Sequence, residues 1–315
     1  RVPTRARDEA RAFRAPPVMI PAVRQRFEPW GRWWFAPLLP ALYALVLAAT
    51  GHLRPEHVLV GGLVLVCGLA SAPTQRFTAA LYPAVLVGFM TDAIRFVLPA
   101  FVTADRVHAC DLRALELRFF AVAPDVTVGD WMQQFTRPFW DVLFAIPYAA
   151  FLYVVPLYGL YLFFRDRPRM NLYLWAFCIA HVIGLAMWLL VPAAPPWYVR
   201  LHGCAVDIKA AASAAGLLRV DDLLGITYFK QFYGRAANVF GAMPSMHVAF
   251  PMIGLFSAIG RATARTWPLH VLYAGSMFVA SVYLDHHWIL DGIAGALVAL
   301  ASVVIAARLL GYRWP

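Results

Sequence analysis

The chain has 315 residues, 62% of them hydrophobic and only 14% charged, with a mean hydropathy of +0.64. A soluble protein of that size seldom exceeds half apolar residues, so the composition points to a polytopic membrane protein. The formal charge of +10 lies in short tracts beside apolar runs, which suits anionic lipid and topology signals and argues against a nucleic-acid partner.

Residues 1–32 carry eight arginines and read as a basic cytoplasmic arm, partly disordered and drawn to anionic lipid. They do not read as a cleavable signal peptide, because no short apolar core with a small-residue cleavage site follows. Eight apolar segments come next, at about 34–50, 57–72, 80–102, 139–164, 171–191, 244–263, 267–284 and 288–309. The second is short and the third is interrupted by Asp92 and Arg95, which gives six to eight spans. Those two residues, three apart, read as a self-neutralising pair on one helix face. The organisation expected is an all-α polytopic helix bundle. N-terminal transmembrane helices occupy 33–102 and an extracytoplasmic loop 103–138. A catalytic core of about six helices occupies 139–309 with an outer loop at 192–243, and a cytoplasmic tail occupies 310–315.

Arginine placement sets the orientation. With the basic arm inside, Arg76, then Arg165, Arg167 and Arg169, then Arg261 and Arg265 all fall in cytoplasmic connections. Both termini are then cytoplasmic, and loop 192–243 shares the extracytoplasmic face with residues 281–295. Cys67 and Cys178 lie in apolar helices and read as small core residues. Cys110 and Cys204 fall in outward loops where disulfides persist. Spacing does not pair them, and a bridge is not the favoured expectation.

"PAAPPWYVR" (192–200) is expected to run extended rather than helical, because its prolines oppose a regular helix. Trp197 and Tyr198 suit either an interfacial anchor or a wall over a head-group pocket. Residues 207–232 carry short apolar–polar patterning and read as a surface segment able to act as a lid.

The chemistry concentrates in "SVYLDHHWILDGIAG" (281–295). His287 and Asp291 are four apart and share one face of the last helix, near an N-terminus that favours an anion. A carboxylate there can accept the imidazole N–H and direct the other ring nitrogen as nucleophile or base. The other half is "VFGAMPSMHVAFP" (239–251), which places His247 at the start of the sixth apolar segment, on the same membrane face. Two imidazoles and two helix N-termini suit a tetrahedral phosphate, one histidine attacking phosphorus and the other protonating the leaving oxygen. His52, His108, His202 and His270 read as surface or hydrogen-bonding residues. Zinc or iron on His287 and Asp291 is the competing reading, but a third ligand of fixed spacing is not evident. Asp285 and His286 read as rim residues that hydrogen-bond substrate.

"PAAPPWY" (192–198), "FGAMPSMH" (240–247) and "HHWILDGIAG" (286–295), in that order, resemble the motifs of the type 2 phosphatidic-acid-phosphatase superfamily, in its inositol phosphorylceramide synthase-like (aureobasidin-resistance) branch. "WDVLFAIPY" (140–148) resembles that branch's aspartate-bearing helix. The resemblance implies a metal-independent enzyme without cofactors. His287 would form a phosphohistidine, Asp291 would orient it, and His247 would serve as acid and then base. It also brings Asp141, Tyr148 and Ser245 toward the substrate. Met246 replaces the glycine of the phosphatase branch, and Ala280–Ser281 its Ser-Arg; the lysine-bearing first motif has no counterpart. Phosphate charge would then fall to helix N-termini and to Arg200, Lys230 and Arg235.

The expected reaction moves a phosphate-linked, phosphoinositol-like head group from a phospholipid to a lipid or polyol hydroxyl. The alternative is a lipid-phosphate or polyprenyl-diphosphate phosphatase using the same three residues, and a non-catalytic lipid carrier is the rival of another class. Arginines number 25 against two lysines, which suits a GC-rich genome and a bacterial cytoplasmic membrane. The fungal ceramide acceptor is therefore not carried over. Head group, acceptor and oligomeric state stay open at this level.

Overall fold

A computed structural model describes residues 28–314 apart from Ala237, Ala262 and Ala264. The basic arm expected over 1–32 lies, up to residue 27, outside the described residues. The chain divides into two compact units, meeting between Tyr82 and Pro83.

In the first unit, α1 (Leu39–Ala49) and α2 (Pro55–Ala70) pack together, and α3 (Ala72–Ala93) begins. Trp30 fixes the entry by donating its indole N–H to the Gly68 carbonyl at 2.9 Å. A Cβ on Gly68 would stand 2.8 Å from Pro37, so only glycine allows that approach. The outer faces of α1 and α2 expose Leu42, Leu45, Leu59 and Leu63, a surface suited to lipid rather than water.

The second unit takes up the end of α3, which ends at Ala93, inside the interruption foreseen at Asp92 and Arg95. Those two side chains pair, and the chain continues through a 3-10 turn into α4 (Leu98–Phe101). The outer loop then folds as α5 (Cys110–Phe120), a two-stranded antiparallel hairpin of β1 (Ala121–Ala123) and β2 (Val126–Thr127), and α6 (Val128–Gln133).

Two long apolar helices follow, α7 (Pro138–Arg165) and α8 (Arg167–Leu190). Pro138 sits in the first turn of α7, where its missing N–H costs nothing. Asp166 separates the two helices and caps α8 by accepting the Arg169 N–H at 3.1 Å. Beyond the short α9 (Pro196–His202), α10 (Leu218–Leu224) and α11 (Tyr228–Tyr233) come α12 (Met246–Ala258), α13 (Trp267–Tyr283) and α14 (Ile289–Leu310). All eight apolar segments thus appear as helices. Among the described residues four are long and apolar enough to cross a membrane: 72–96, α7, α8 and α14. At 1.5 Å per residue, the 28 residues of α7 extend about 42 Å.

At the core, α12 packs against α8, α13 and α14. The contact between α12 and α14 depends on Gly295, where a Cβ would sit 2.3 Å from the Ser245 carbonyl oxygen. The Ser245 N–H also donates to the Asp291 carbonyl at 2.9 Å. The two histidine-bearing segments are therefore joined backbone to backbone.

Two expectations need correction. Cys110 and Cys204 form a disulfide, with Cα atoms 5.3 Å apart. It joins loops 94 residues apart in sequence, a proximity that only the tertiary fold sets. Residues 192–195 are extended as expected, but α9 begins at Pro196 and includes Trp197 and Tyr198. Pro195 supplies the extended residue before a proline, and Pro196 then occupies the first turn, the one helical position that tolerates it.

Candidate active site

The three outer loops meet through backbone pairing before any catalytic side chain is placed. Ala193 bridges His108 on one side and Gly241 on the other. The Ala242 N–H donates to the Ala193 carbonyl at 3.1 Å, and the Trp288 indole N–H to the Ala194 carbonyl at 3.0 Å. This zipper aims the Ala242 carbonyl at the turn between α13 and α14, and that carbonyl accepts from His287 Nδ1 at 3.0 Å. A carbonyl only accepts, so Nδ1 carries the proton and the lone pair of neutral His287 is on Nε2.

His247 completes the chain of bonds. Its Nδ1 lies 3.0 Å from His287 Nε2, and its Nε2 lies 3.2 Å from the Tyr233 hydroxyl. With the His287 lone pair fixed, His247 Nδ1–H donates to it and Tyr233 donates to His247 Nε2. Burial pushes the Tyr233 phenol up from its ordinary value, which keeps it a donor. The Tyr148 ring stacks on His247, centroids 4.4 Å apart and planes 18° apart.

Asp291 is fully buried, with Oδ2 3.6 Å from His287 Nδ1. That is beyond a hydrogen bond, and Oδ2 instead accepts the Trp288 N–H at 2.8 Å. The carboxylate thus faces the imidazole as a nearby charge rather than as its hydrogen-bond acceptor. The N-terminus of α14, expected from the sequence to offer free N–H groups to an anion, is occupied by protein. Glu116 on α5, 1% exposed, accepts the Ile289 and Leu290 N–H groups at 2.9 and 3.1 Å. Burial pushes the Glu116 carboxyl up, those two N–H groups work against the shift, and Asp291 adds to it.

The histidine pair opens on a cavity of about 360 Å³ lined mainly by apolar side chains, among them Phe151, Phe177, Trp188, Trp197 and Phe250. Of the residues singled out in the sequence, His247, His287, His286, Trp197 and Arg235 line it. Arg235 is exposed and lines the cavity.

The others are placed elsewhere. Ser245 is buried and caps α12, its hydroxyl accepting the Val248 N–H at 3.3 Å. The Tyr198 hydroxyl donates to the Ala205 carbonyl and accepts the Asp207 N–H, inside a buried cluster. Asp141 accepts from Arg219 at 2.8 Å and from the Tyr283 hydroxyl at 3.0 Å. Arg200 holds Asp285 through two bonds of 3.0 and 2.9 Å and also reaches Asp130 at 2.9 Å. Asp285 has a left-handed backbone, φ 63°, so this ion pair pins the turn that aims His286 and His287 inward. Burial pushes the Asp285 carboxyl up, and Arg200 opposes that. Lys230 is exposed and absent from the cavity wall. His286 donates Nε2–H to the Ala214 carbonyl at 3.0 Å. Burial and the neighbouring His287 push its pKa down to about 3, so its ring is neutral.

Sequence reasoning missed Tyr233, Glu116 and the Ala242 carbonyl. A tyrosine in a loop and a glutamate in an amphipathic helix carry no local signal of their partners, and a carbonyl carries none at all. Among the described residues no group of three His, Cys, Asp or Glu side chains is arranged to hold a metal ion.

A family model described as the PAP2 superfamily matches residues 111–305. The chain belongs to that superfamily. Phosphoinositol dihydroceramide synthase of Bacteroides thetaiotaomicron is 32% identical over 268 residues, 84% of this chain and 87% of that protein. Inositol phosphorylceramide synthase catalytic subunit AUR1 of Saccharomyces cerevisiae is 31% identical over 176 residues, 55% of this chain and 43% of its own length. Inositol phosphorylceramide synthase of Candida albicans is 29% identical over 163 residues, 51% of this chain and 34% of its own. The chain thus spans less than half of these two fungal relatives. No solved structure matches it. The protein is an integral membrane phosphotransferase of the PAP2 superfamily, in its inositol phosphorylceramide synthase-like branch.

Proposed function

We propose that this enzyme moves a phosphoinositol-like head group from a phospholipid to the hydroxyl of a lipid or polyol, through a phosphohistidine on His287. The observation that carries the reading is the 3.0 Å contact between His247 Nδ1 and His287 Nε2 at an apolar cavity. One nitrogen is fixed as a lone pair, and the other carries a proton beside it. The names of the relatives support phosphoinositol as the group moved and a lipid hydroxyl as its acceptor.

An anionic phosphodiester entering between the rings separates them and favours a second proton on His247. His287 Nε2 attacks phosphorus and the bond to the diacylglycerol oxygen breaks. His247 Nδ1–H protonates that oxygen, and diacylglycerol leaves. The phosphorylated His287 ring is cationic, and buried Asp291 offsets its charge across 3.6 Å. The acceptor hydroxyl then gives its proton to His247 and its oxygen attacks phosphorus, breaking the N–P bond. No step calls for a metal or cofactor. Arg235, which lines the cavity, would balance the phosphate charge.

The active site is proposed to face the extracytoplasmic side of a bacterial membrane, with both termini inside. The positive-inside pattern supports this, as does the Cys110–Cys204 disulfide in the same outer loops.

The test uses purified protein in lipid nanodiscs with EDTA and head-group-labelled phosphatidylinositol, with and without acceptor lipid, beside His287→Ala. Label entering a new lipid only with acceptor establishes transfer. Acceptor-independent release of label makes the enzyme a hydrolase, and turnover that survives His287→Ala refutes the phosphohistidine.

A further inference from the structure

The end of the bundle opposite the histidine pair holds a buried cation with no acid paired to it. Arg169 stands in the first turn of α8 and is 8% exposed. Its Nη2 donates to the Tyr158 hydroxyl on α7 and to His270 Nε2 on α13, the latter at 3.3 Å. An arginine only donates, so His270 presents a lone pair at Nε2 and its ring is neutral. Both partners are therefore uncharged. Arg169 Nε is buried without a partner, and Nη1 is bonded by no protein group among the described residues. Asp166 is the nearest acid in sequence, but its Oδ1 accepts the Arg169 backbone N–H, and it makes no ion pair with the guanidinium. A charge buried without a counter-ion is costly in an apolar bundle, so such a group marks a place for a ligand.

Tyr158 lies on α7 beyond Tyr148, the ring stacked on His247, by about 15 Å along the helix axis. The two places are thus separate. The field around Arg169 is positive. Arg165 and Arg167 are exposed at the same helix ends, and α13 starts at Trp267 without a side-chain cap, so its dipole adds to them. Tyr158 and His270 are only half-buried, which puts the opening between α7 and α13. The surface on both sides of that opening is apolar: Tyr161 and Phe164 on α7, with Leu269 and Leu272 on α13, are all exposed. The Tyr161 ring stacks on Tyr158, centroids 6.1 Å apart, and joins the opening to that surface. A water-borne anion matches the charge alone. A phospholipid matches both, with its phosphate at the guanidinium and its acyl chains along the exposed apolar side chains.

We propose that Arg169 holds the phosphate of an anionic phospholipid in the leaflet opposite the active site. The unused N–H groups on Nε and Nη1 donate to the phosphate oxygens, the charge-assisted contact for which a guanidinium is best suited. A zwitterionic lipid brings an ammonium into the field of Arg165 and Arg167 and is disfavoured. Bound there, the anionic lipid clamps α7 to the starts of α8 and α13. The site does not depend on the transfer reaction proposed above.

Native mass spectrometry of the full chain reads this binding without catalysis. Detergent-purified protein is titrated with phosphatidylglycerol, with phosphatidylcholine of the same acyl chains and with inorganic phosphate, and the apparent Kd of the first bound molecule is compared. The unaltered protein is expected to prefer phosphatidylglycerol by about tenfold or more, the scale of one charge-assisted contact. Inorganic phosphate at equal concentration is expected not to displace it. Arg169→Gln is expected to remove the preference, and Arg169→Lys, which keeps the charge without the planar fork, to keep part of it. Arg167→Gln and Arg265→Gln at the exposed surface, and Arg235→Gln at the active-site cavity, are expected to leave it intact. Absence of any preference in the unaltered protein overturns the site, whether or not the variants fold. A preference that survives Arg169→Gln also overturns it, as does one that falls equally with Arg167→Gln or is lost with Arg235→Gln instead. Displacement by equimolar inorganic phosphate would make the place a site for a free anion and overturn the lipid.

Discussion

His287 Nδ1 is bonded to the backbone carbonyl of Ala242, 45 residues away, at 3.0 Å. The carboxylate of Asp291, on the same helix face, is left 3.6 Å from that nitrogen. The tautomer of the proposed nucleophile is therefore set by the zipper of outer loops, and the acid contributes charge. In a triad whose acid fixes the tautomer, amidation costs about 10⁴ in turnover. Here Asp291→Asn is expected to cost about a hundredfold, the scale of one lost electrostatic interaction in a buried site, because Ala242 still holds Nδ1–H. His287→Ala is expected to abolish turnover and remove acid-labile label trapped from a labelled donor. Rates of the two variants within threefold of each other would contradict this division of roles.

Tyr233 holds the far nitrogen of His247 from α11, a helix packed over the site. Tyr233→Phe removes only the hydroxyl, leaving the ring against His286. The expected outcome is a fall in kcat of about tenfold with little change in KM, since a charge-assisted bond contributes about 1.5–3 kcal/mol at most. The limb of the pH–rate profile governed by His247 should move to lower pH, because the oxygen that accepts from imidazolium Nε2–H is gone. A purely structural tyrosine would lower stability and leave the profile in place.

Helix existence was legible in the sequence because lipid-grade apolar runs have few other ways to satisfy their backbone. All eight segments are helical, and Asp92 and Arg95 pair within one of them. The third segment was placed late by eight residues: α3 starts at Ala72, where Thr74, Gln75 and Arg76 hide its apolar character. The local motifs brought His247 and His287 together correctly. What escaped was every partner supplied from a distance, such as Ala242 for His287, Glu116 for the α14 N-terminus and Cys204 for Cys110. Arg200 shows the same limit. It read as a phosphate cation, and the fold pairs it with Asp285 and Asp130. A side chain's type announces what it can bond, and the tertiary path decides which partner arrives.

Glu116 is a buried carboxylate that replaces solvent at the first turn of α14. Glu116→Ala leaves the Ile289 and Leu290 N–H groups without their acceptor, and loss of a helix cap costs about 0.5–2 kcal/mol. The variant is expected to melt earlier in nanodiscs and to lose activity through displacement of His287. Glu116→Gln keeps an acceptor of the same reach and should recover most of both. Because the carboxyl is pushed up, its contribution is complete below the ordinary glutamate value and falls as pH rises through the raised one. Glutamine carries no such term. A glutamine variant as unstable as the alanine variant would show that the charge, and not the acceptor, matters.

Asp130, in the outer ion network, has the opposite pH sign. Burial works against ionisation of Asp130, but the Thr127 N–H and hydroxyl, with Arg200 and Arg113, hold its carboxyl below the usual range. Such a group stabilises the fold above its unfolded pKa, about 4, and that stability is lost as pH falls through the depressed value. Arg200 links Asp130 to Asp285, and Asp285 lies in the turn leading to His286 and His287, so acid should loosen the site before it unfolds the bundle. Melting followed from about pH 7 down to about pH 3 should therefore fall more steeply for the unaltered protein than for Asp130→Asn. The variant begins from a lower melting point and has less to lose. Parallel curves would mean that Arg200 and Asp285 keep the turn in place without Asp130.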